Sequence, residues 1–353
     1  MVNCHRKWKR WVCCALVVVL GFVCVGCGKK NVETVSKQSE STDRIRIGVT
    51  FDSFVIERWQ RDRDVFVSTA KDLGADVNVQ SANGDLEEQK KQIEYFIESE
   101  MDVIVIVCID SDGLADAVAD AKAAGIKVIA YDRLIRNADV DLYISFDNEM
   151  VGKLMAEAVV GAGVENGKVL MLGGDSADYN VPQVEDAFSS GMEQHGNEIV
   201  GSMHARGWRA EDAAEYIYNH LDQVEQVDAI MCGNDSLASQ VIRALSERRL
   251  AGNICVVGQD AELEACQHIV EGTQEMTVYK PVERLAHLTA ECAVALAKGE
   301  DIPNTEVLTF HDGIYEVPYV KLDPIMVNKE NMDEVIINGG FHLKEDVYLN
   351  VAD

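Results

Sequence analysis

Basic residues are scarce in this chain: 32 Lys and Arg stand against 60 Asp and Glu over 353 residues, a formal charge of −28. Such a surface repels a phosphate backbone, so no nucleic-acid partner is expected. Proline is scarcer still, at five residues, and no Pro-rich linker divides the chain into separate beads. GxxxxGK[ST], GxSxG, HExxH and GxGxxG are all missing, and the eight histidines have no metal-ligand spacing. The signatures of phosphate loops, serine hydrolases, zinc proteases and dinucleotide folds are therefore lacking, and no metal, cofactor or catalytic residue is expected. Paired cysteines are lacking too. Cys4, Cys13, Cys14, Cys24 and Cys27 crowd the N-terminus, leaving Cys108, Cys232, Cys255, Cys266 and Cys292, an odd number without CxxC spacing. Buried free thiols are expected.

No apolar run is long enough for a permanent membrane span. The longest covers residues 12–26, short of the ~20 a spanning helix needs, and follows His5, Arg6, Lys7, Lys9 and Arg10. Basic residues followed by a short apolar stretch read as an export signal over residues 1–26. Cys24-Val25-Gly26-Cys27 resembles a bacterial lipobox, which implies a diacylglycerol on Cys27 and attachment to the membrane surface. Retention of the run as an uncleaved anchor is the alternative. Residues 28–44, rich in Lys, Ser, Gln, Glu and Thr, read as a flexible tether.

What is present, in contrast, is regular. From residue 45 onward, β-branched runs alternate with amphipathic stretches. Strands are expected at 45–51, 76–80, 103–108, 127–131 and 142–146, with helices at 57–73, 86–98 and 114–124 among them. A second set of strands is expected at 168–172, 198–203, 228–232, 253–258 and 275–279. Strand–helix alternation of this kind builds parallel sheets, so the fold class is α/β with two doubly wound, Rossmann-like lobes. Beyond residue 305 only short strand-like pieces follow, at 307–310, 315–319 and 324–327. No internal repeat is visible.

Ligands of open α/β sheets bind beyond the carboxyl ends of the strands, and in this sequence those positions are polar. They carry Asp52 with Arg58-Trp59, Asp132-Arg133, Gly173-Gly174 with Asp178 and Asn180, Asn234-Asp235, Gln259-Asp260, and Lys280. Helix capping explains any one Asp or Asn. It does not explain six polar junctions in register with Arg and Lys among them. Carboxylates and amides grip neighbouring hydroxyls while Arg and Lys donate, which is carbohydrate chemistry. Trp59 and Trp208, the two tryptophans beyond the leader, offer flat faces for the C–H side of a sugar ring.

Several blocks together resemble one family. They are Ile56 to Asp64 (IERWQRDRD), Val79 to Gly84, Ala130-Tyr131-Asp132-Arg133, Tyr143 to Asn148, Gly258 to Ala261 and Met276 to Pro281. The chain resembles the type I periplasmic binding proteins of bacterial sugar ABC importers, specifically their D-xylose branch. The resemblance implies two lobes joined by three crossover strands, with the ligand cleft between them, and no enzymatic activity. It implies sugar contacts from Arg58, Trp59, Asp132, Arg133, Asp178, Asn180, Trp208, Asn234, Asp260 and Lys280. On this reading residues 45–147 and 282–309 form the first lobe, residues 148–281 and 310–342 the second, and residues 343–353 a tail. His204 stands where the family pattern has another aromatic. The DxNxxxQ-like calcium loop of some relatives is not apparent.

The function implied is an extracytoplasmic, lipid-anchored monomer that captures D-xylose or a close monosaccharide and delivers it to an ABC permease. The alternative is a sugar-sensing co-receptor for a membrane histidine kinase. A sugar-processing enzyme of the same fold would need an acid/base pair beside the ligand, and a repressor would need a DNA-binding helix pair where the export signal stands.

Overall fold

A computed structural model describes residues 44–303 and 305–351. The export signal, Cys27 and all but the last residue of the tether lie outside the described residues. The first set of elements comprises β1 (Arg46–Phe51), α1 (Arg58–Asp72), β2 (Asp76–Ser81), α2 (Leu86–Glu98), β3 (Val103–Ile106), α3 (Ala115–Ala123), β4 (Lys127–Tyr131) and β5 (Leu142–Phe146). The second begins with α4 (Asn148–Gly161), β6 (Lys168–Gly173), α5 (Asn180–Gln194), β7 (Glu198–His204), α6 (Ala210–Asn219) and α7 (Leu221–Val224). It continues through β8 (Ala229–Cys232), α8 (Asp235–Glu247), β9 (Cys255–Gln259), α9 (Leu263–Glu271) and β10 (Met276–Tyr279). The chain then runs through α10 (Val282–Lys298), β11 (Leu308–His311), β12 (Glu316–Leu322), β13 (Ile325–Asn328) and α11 (Lys344–Val347).

These strands form two sheets, ordered β11-β12-β5-β4-β3-β1-β2 and β13-β10-β9-β8-β6-β7. Pairing is parallel throughout except for β11 on β12 and β13 on β10. The runs VIVI of β3 and AIMC of β8 are buried along their whole length, as strands covered by helices on both faces must be. Taken in chain order, both sheets follow the same plan: the second strand lies outside the first, and the third, fourth and fifth follow on its other side. The sequence shows no trace of this repeat, because a buried parallel strand demands only apolar, β-branched residues and not particular ones. In each sheet the order reverses beside the first strand, between β1 and β3 and between β6 and β8. Crevices at such reversals are where doubly wound sheets bind ligands.

The chain passes between the sheets three times, after β5, after β10 and after β12. The third passage differs from the expected position. Residues 310–342 were assigned to the second lobe, but β12 pairs in parallel with β5, Tyr319 opposite Tyr143 and Leu322 opposite Phe146. Aromatic packing holds it there: Tyr319 stacks on Tyr143 at 4.8 Å and 12°, and Phe310 meets both rings edge-on. The crossing therefore falls at Asp323-Pro324. The tail is also packed, since Val347 of α11 is fully buried with Cys266, Ile269, Met332 and Ile336 on the second lobe.

The five cysteines of the described residues are free, four of them buried and Cys255 half-buried. Burial pushes the thiols of Cys255 and Cys292 up to about 12, so little reactive thiolate exists at neutral pH.

Candidate functional site

Arg58 anchors the cleft. It opens α1 one helical turn before Asp62, so the two share a helix face, with Nη2 3.3 Å from Asp62 Oδ1. The same nitrogen donates to Asp132 Oδ2 at 2.8 Å, and Nη1 lies 3.8 Å from Asp260 Oδ1. Asp62 also accepts from the Tyr131 hydroxyl. Burial nevertheless pushes its carboxyl up to about 6, against the pull of Arg58. For Asp132 burial acts upward as well, but Arg58, Lys280 and Arg133 outweigh it and hold the carboxyl below its ordinary value. The guanidinium of Arg58 lies 4.4 Å from the centre of the Trp59 ring, a cation–π arrangement that fixes the indole as well as the charge.

Arg133 forms the second knot. Its Nη1 donates to Asp52 at 2.8 Å and its Nε pairs with Asp178 at 2.7 Å. Asp52 belongs to the first lobe and Asp178 to the second, so this one side chain bridges the cleft. Asn180 Nδ2 donates across it to the Asp132 carbonyl at 3.1 Å, Ser111 N to the Ala177 carbonyl at 2.9 Å, and Tyr179 N to Ser111 Oγ at 3.0 Å. The lobes are thus in the closed arrangement.

Asp132 and Asp260 occupy equivalent places in the two lobes. Each follows the fourth strand of its sheet and has positive φ, 64° and 96°. Each donates its backbone N–H to the fifth strand, Asp132 to Ile144 O and Asp260 to Val278 O, both at 2.8 Å. Non-glycine residues in this region carry strain of order 1–3 kcal/mol and cluster at functional sites. Here the bend turns each carboxylate off the end of its sheet and into the cleft. Lys280, just past β10, lies 3.0 Å from Asp260 Oδ1, off the hydrogen-bonding direction.

Gly173 and Gly174 are needed for close approach. A Cβ on Gly174 would lie 2.1 Å from the Trp208 ring, so only glycine lets that indole lie flat against the end of β6. Trp208 and Gly207 both have positive φ, 57° and 58°, in the turn that lifts the ring over the cleft.

All ten candidate residues are buried. Nine of them line one pocket between the ends of the two sheets. The exception is Asn234. Its Oδ1 caps α8 by accepting from Leu237 N at 3.0 Å, and Gly233 lines the pocket in its place. The lining also includes Gln259, singled out with Asp260 as a polar strand end but not as a sugar contact, and Asn148, Glu185, Ile56 and Met231, which the sequence reading did not select as contacts. Gln259 and Asn148 stand at strand ends and had a signal. Glu185 lies in the second turn of α5 and had none.

Unmet hydrogen-bonding capacity concentrates on this wall. Trp59 Nε1, Trp208 Nε1 and Asn148 Nδ2 donate to nothing within the described residues, and Asn180 Oδ1, Gln259 Oε1, Asp260 Oδ1 and Glu185 Oε1 accept nothing. Buried polar atoms are ordinarily paired. Donors interleaved with acceptors suit groups that do both, which is the character of hydroxyls. The three cations of the wall, Arg58, Arg133 and Lys280, are each already paired with carboxylates, so none is free to draw an anionic ligand.

Beneath Asp260 lies a buried acidic layer without a cation. Asp235 accepts from Thr277 Oγ1 at 2.6 Å and Gln274 Nε2 at 2.9 Å, and Glu262 accepts from Ser236. Burial pushes Asp235 up to about 8 and Glu262 to about 9. From the ordinary carboxylate range up to pH 8–9, the folded chain then holds protons that the unfolded chain has released. Stability must fall as pH rises through that window. We expect the unfolding free energy to drop by roughly 2–3 kcal/mol per unit between about pH 6 and about pH 8, about 1.4 kcal/mol per unit for each of the two held protons, and Asp235→Asn to flatten the slope in denaturant titrations.

Two doubly wound lobes, three crossings and a buried polar cleft define a protein that captures a small ligand between its lobes. Comparison with known proteins narrows this. A family model described as a periplasmic binding protein domain matches residues 47–301. The D-xylose-binding periplasmic protein of Haemophilus influenzae is 42% identical over 324 residues, 89% of this chain and 96% of that one. Its Escherichia coli namesake is 41% identical over 308 residues, 86% and 92% of the two chains. An ABC transporter solute-binding protein from Clostridium phytofermentans, solved with bound β-D-glucose, superposes with a TM-score of 0.76 at 28% identity, covering 86% of this chain and 99% of that one. The chain belongs to the periplasmic binding protein family.

Proposed function

We propose that this chain is an extracytoplasmic solute-binding protein that captures D-xylose, or a close monosaccharide, by closure of its lobes and delivers it to an ABC permease. One observation carries the reading: a closed pocket flanked by Trp59 and Trp208 whose cations are all paired and whose unpaired atoms include both donors and acceptors. A neutral polyol with one flat C–H face meets every one of those demands. The names of the Haemophilus influenzae and Escherichia coli relatives favour D-xylose among such ligands. In this account Arg58, Asp132, Arg133, Asp178, Asn180, Asp260 and Lys280 hold hydroxyls, while Trp59 and Trp208 cover the ring. Asn234 contributes through its unpaired Nδ2. The chain acts as a monomer and performs no chemistry on the sugar.

Calorimetric titration tests the ligand. D-xylose is expected to bind saturably and more tightly than ribose or galactose, and saturable binding of another sugar with none for xylose would remove the assignment.

In the same account the leader at 1–26 is removed, Cys27 carries diacylglycerol, and residues 28–44 tether the domain to the membrane surface. Two acyl chains anchor where one gives only marginal attachment. Cys27→Ala is expected to release the protein from the membrane fraction. A variant that stays membrane-bound with its leader uncleaved would make the apolar run itself the anchor.

A further inference from the structure

One carboxylate on the pocket wall stands outside the charge network. Arg58, Arg133 and Lys280 pair with Asp62, Asp132, Asp260, Asp52 and Asp178, and none of them with Glu185. This residue reaches the lining from the second turn of α5, beside Gly173, Val184 and Met231. Its Oε2 lies 3.1 Å from His204 Nε2 at the end of β7, whereas Oε1 is buried and has no partner among the described residues. The seat is a fitted one, since a Cβ at Gly173 would lie 1.8 Å from Oε1. Any other residue at the end of β6 would expel the carboxylate from the wall.

We infer that Glu185 is a ligand-contacting residue that selects for a hydroxyl donor at one position of the bound sugar, with His204 as the positioning residue that holds its other oxygen. The inference rests on the sugar-capture reading and deepens it. A carboxylate only accepts, so Oε1 rewards an O–H and rejects a methyl ether or a bare C–H at the same place. A sugar lacking that hydroxyl leaves a buried carboxylate oxygen unpaired, and sites built this way discriminate more steeply than apolar ones. The second oxygen must be fixed for the first to be aimed, and the imidazole does this. A phenylalanine at position 204 would offer Oε2 no hydrogen-bond donor.

The test is a cycle between side chain and ligand. The full-length protein and its Glu185→Met, Glu185→Gln, His204→Phe and His204→Gln variants are titrated by calorimetry with D-xylose and each of its single-deoxy analogues. In the parent, one analogue is expected to bind about ten- to a hundredfold more weakly than xylose through loss of this contact. In Glu185→Met that analogue and xylose bind alike, while discrimination at the other positions persists. Glu185→Gln, which keeps the shape of the side chain, loses part of the same discrimination and carries the test if the methionine variant does not fold. His204→Phe reduces it, and His204→Gln restores it by supplying an N–H to Oε2. Discrimination unchanged at every position in Glu185→Met, or all sugars weakened by one common factor, overturns the inference while leaving sugar capture intact. A parent that binds no sugar brings down both.

Discussion

Replacing Arg58 with methionine lowers the unfolding free energy by about 3–5 kcal/mol, the cost of leaving buried charges without their partner. No other cation takes its place. Lys280 is committed to Asp260 and Arg133 to Asp52 and Asp178, so Asp62 and Asp132 lose the guanidinium that now lies 3.3 and 2.8 Å away. Trp59 loses the nearer of the two cations over its ring, Arg133 remaining at 5.5 Å. Part of the loss is recoverable. With Arg58 gone, Asp62 is the carboxyl that burial already pushes toward protonation, and Asp62→Asn in the Arg58→Met background removes one of the two carboxyl groups left without the guanidinium. Denaturant unfolding of the parent, the single variant and the double variant measures both effects. A loss under about 1 kcal/mol for Arg58→Met would place the residue among ordinary surface ion pairs and contradict its role as the anchor of the cleft.

The second large effect belongs to the opposite lobe. Asp260→Ala is expected to weaken D-xylose binding by about 30- to 1,000-fold, equivalent to roughly 2–4 kcal/mol. Its Oδ1 is one of the unpaired acceptors of the wall, and the strained backbone at φ 96° exists to aim it. Alanine removes the acceptor and leaves Lys280 buried without its carboxylate. Neither lobe alone can satisfy all the hydroxyls of an enclosed sugar. The ligand favours the closed form only through contacts that closure adds, and in this account Asp260 supplies one of them. Calorimetry reads the loss directly, and binding equal to the parent's would remove Asp260 from the site.

Much of the site was legible because of where doubly wound sheets put it. Asp132, Asp178, Asp260 and Lys280 stand immediately or shortly after strands that are mostly apolar and buried, and the Arg58-Trp59 pair opens the first helix. Residues that reach the pocket by other routes escaped. Glu185 comes from the flank of a helix, and only the absence of a side chain at Gly173 lets it in, a relation between distant residues that spacing does not reveal. Asn234 is the one candidate off the pocket lining: an Asn before a helix serves equally as cap or ligand, and its Oδ1 caps α8 while its Nδ2 is unpaired. The boundary of the first lobe failed at β12 because a short run such as EVPYVKL fits the edge of either sheet. The choice is made by Tyr143 and Phe310, which the local pattern does not contain. The shared strand order of the two sheets was hidden because their buried strands have common physical requirements and no common residues.

The central claim is that a monosaccharide is held between the lobes and draws them together. Small-angle X-ray scattering of the protein with and without D-xylose tests it most directly. The account predicts a saturable decrease in the radius of gyration on adding D-xylose, and no decrease for Asp260→Ala at the concentration that closes the parent. A radius unchanged at saturating sugar, with binding verified by calorimetry in the same sample, would contradict capture by closure.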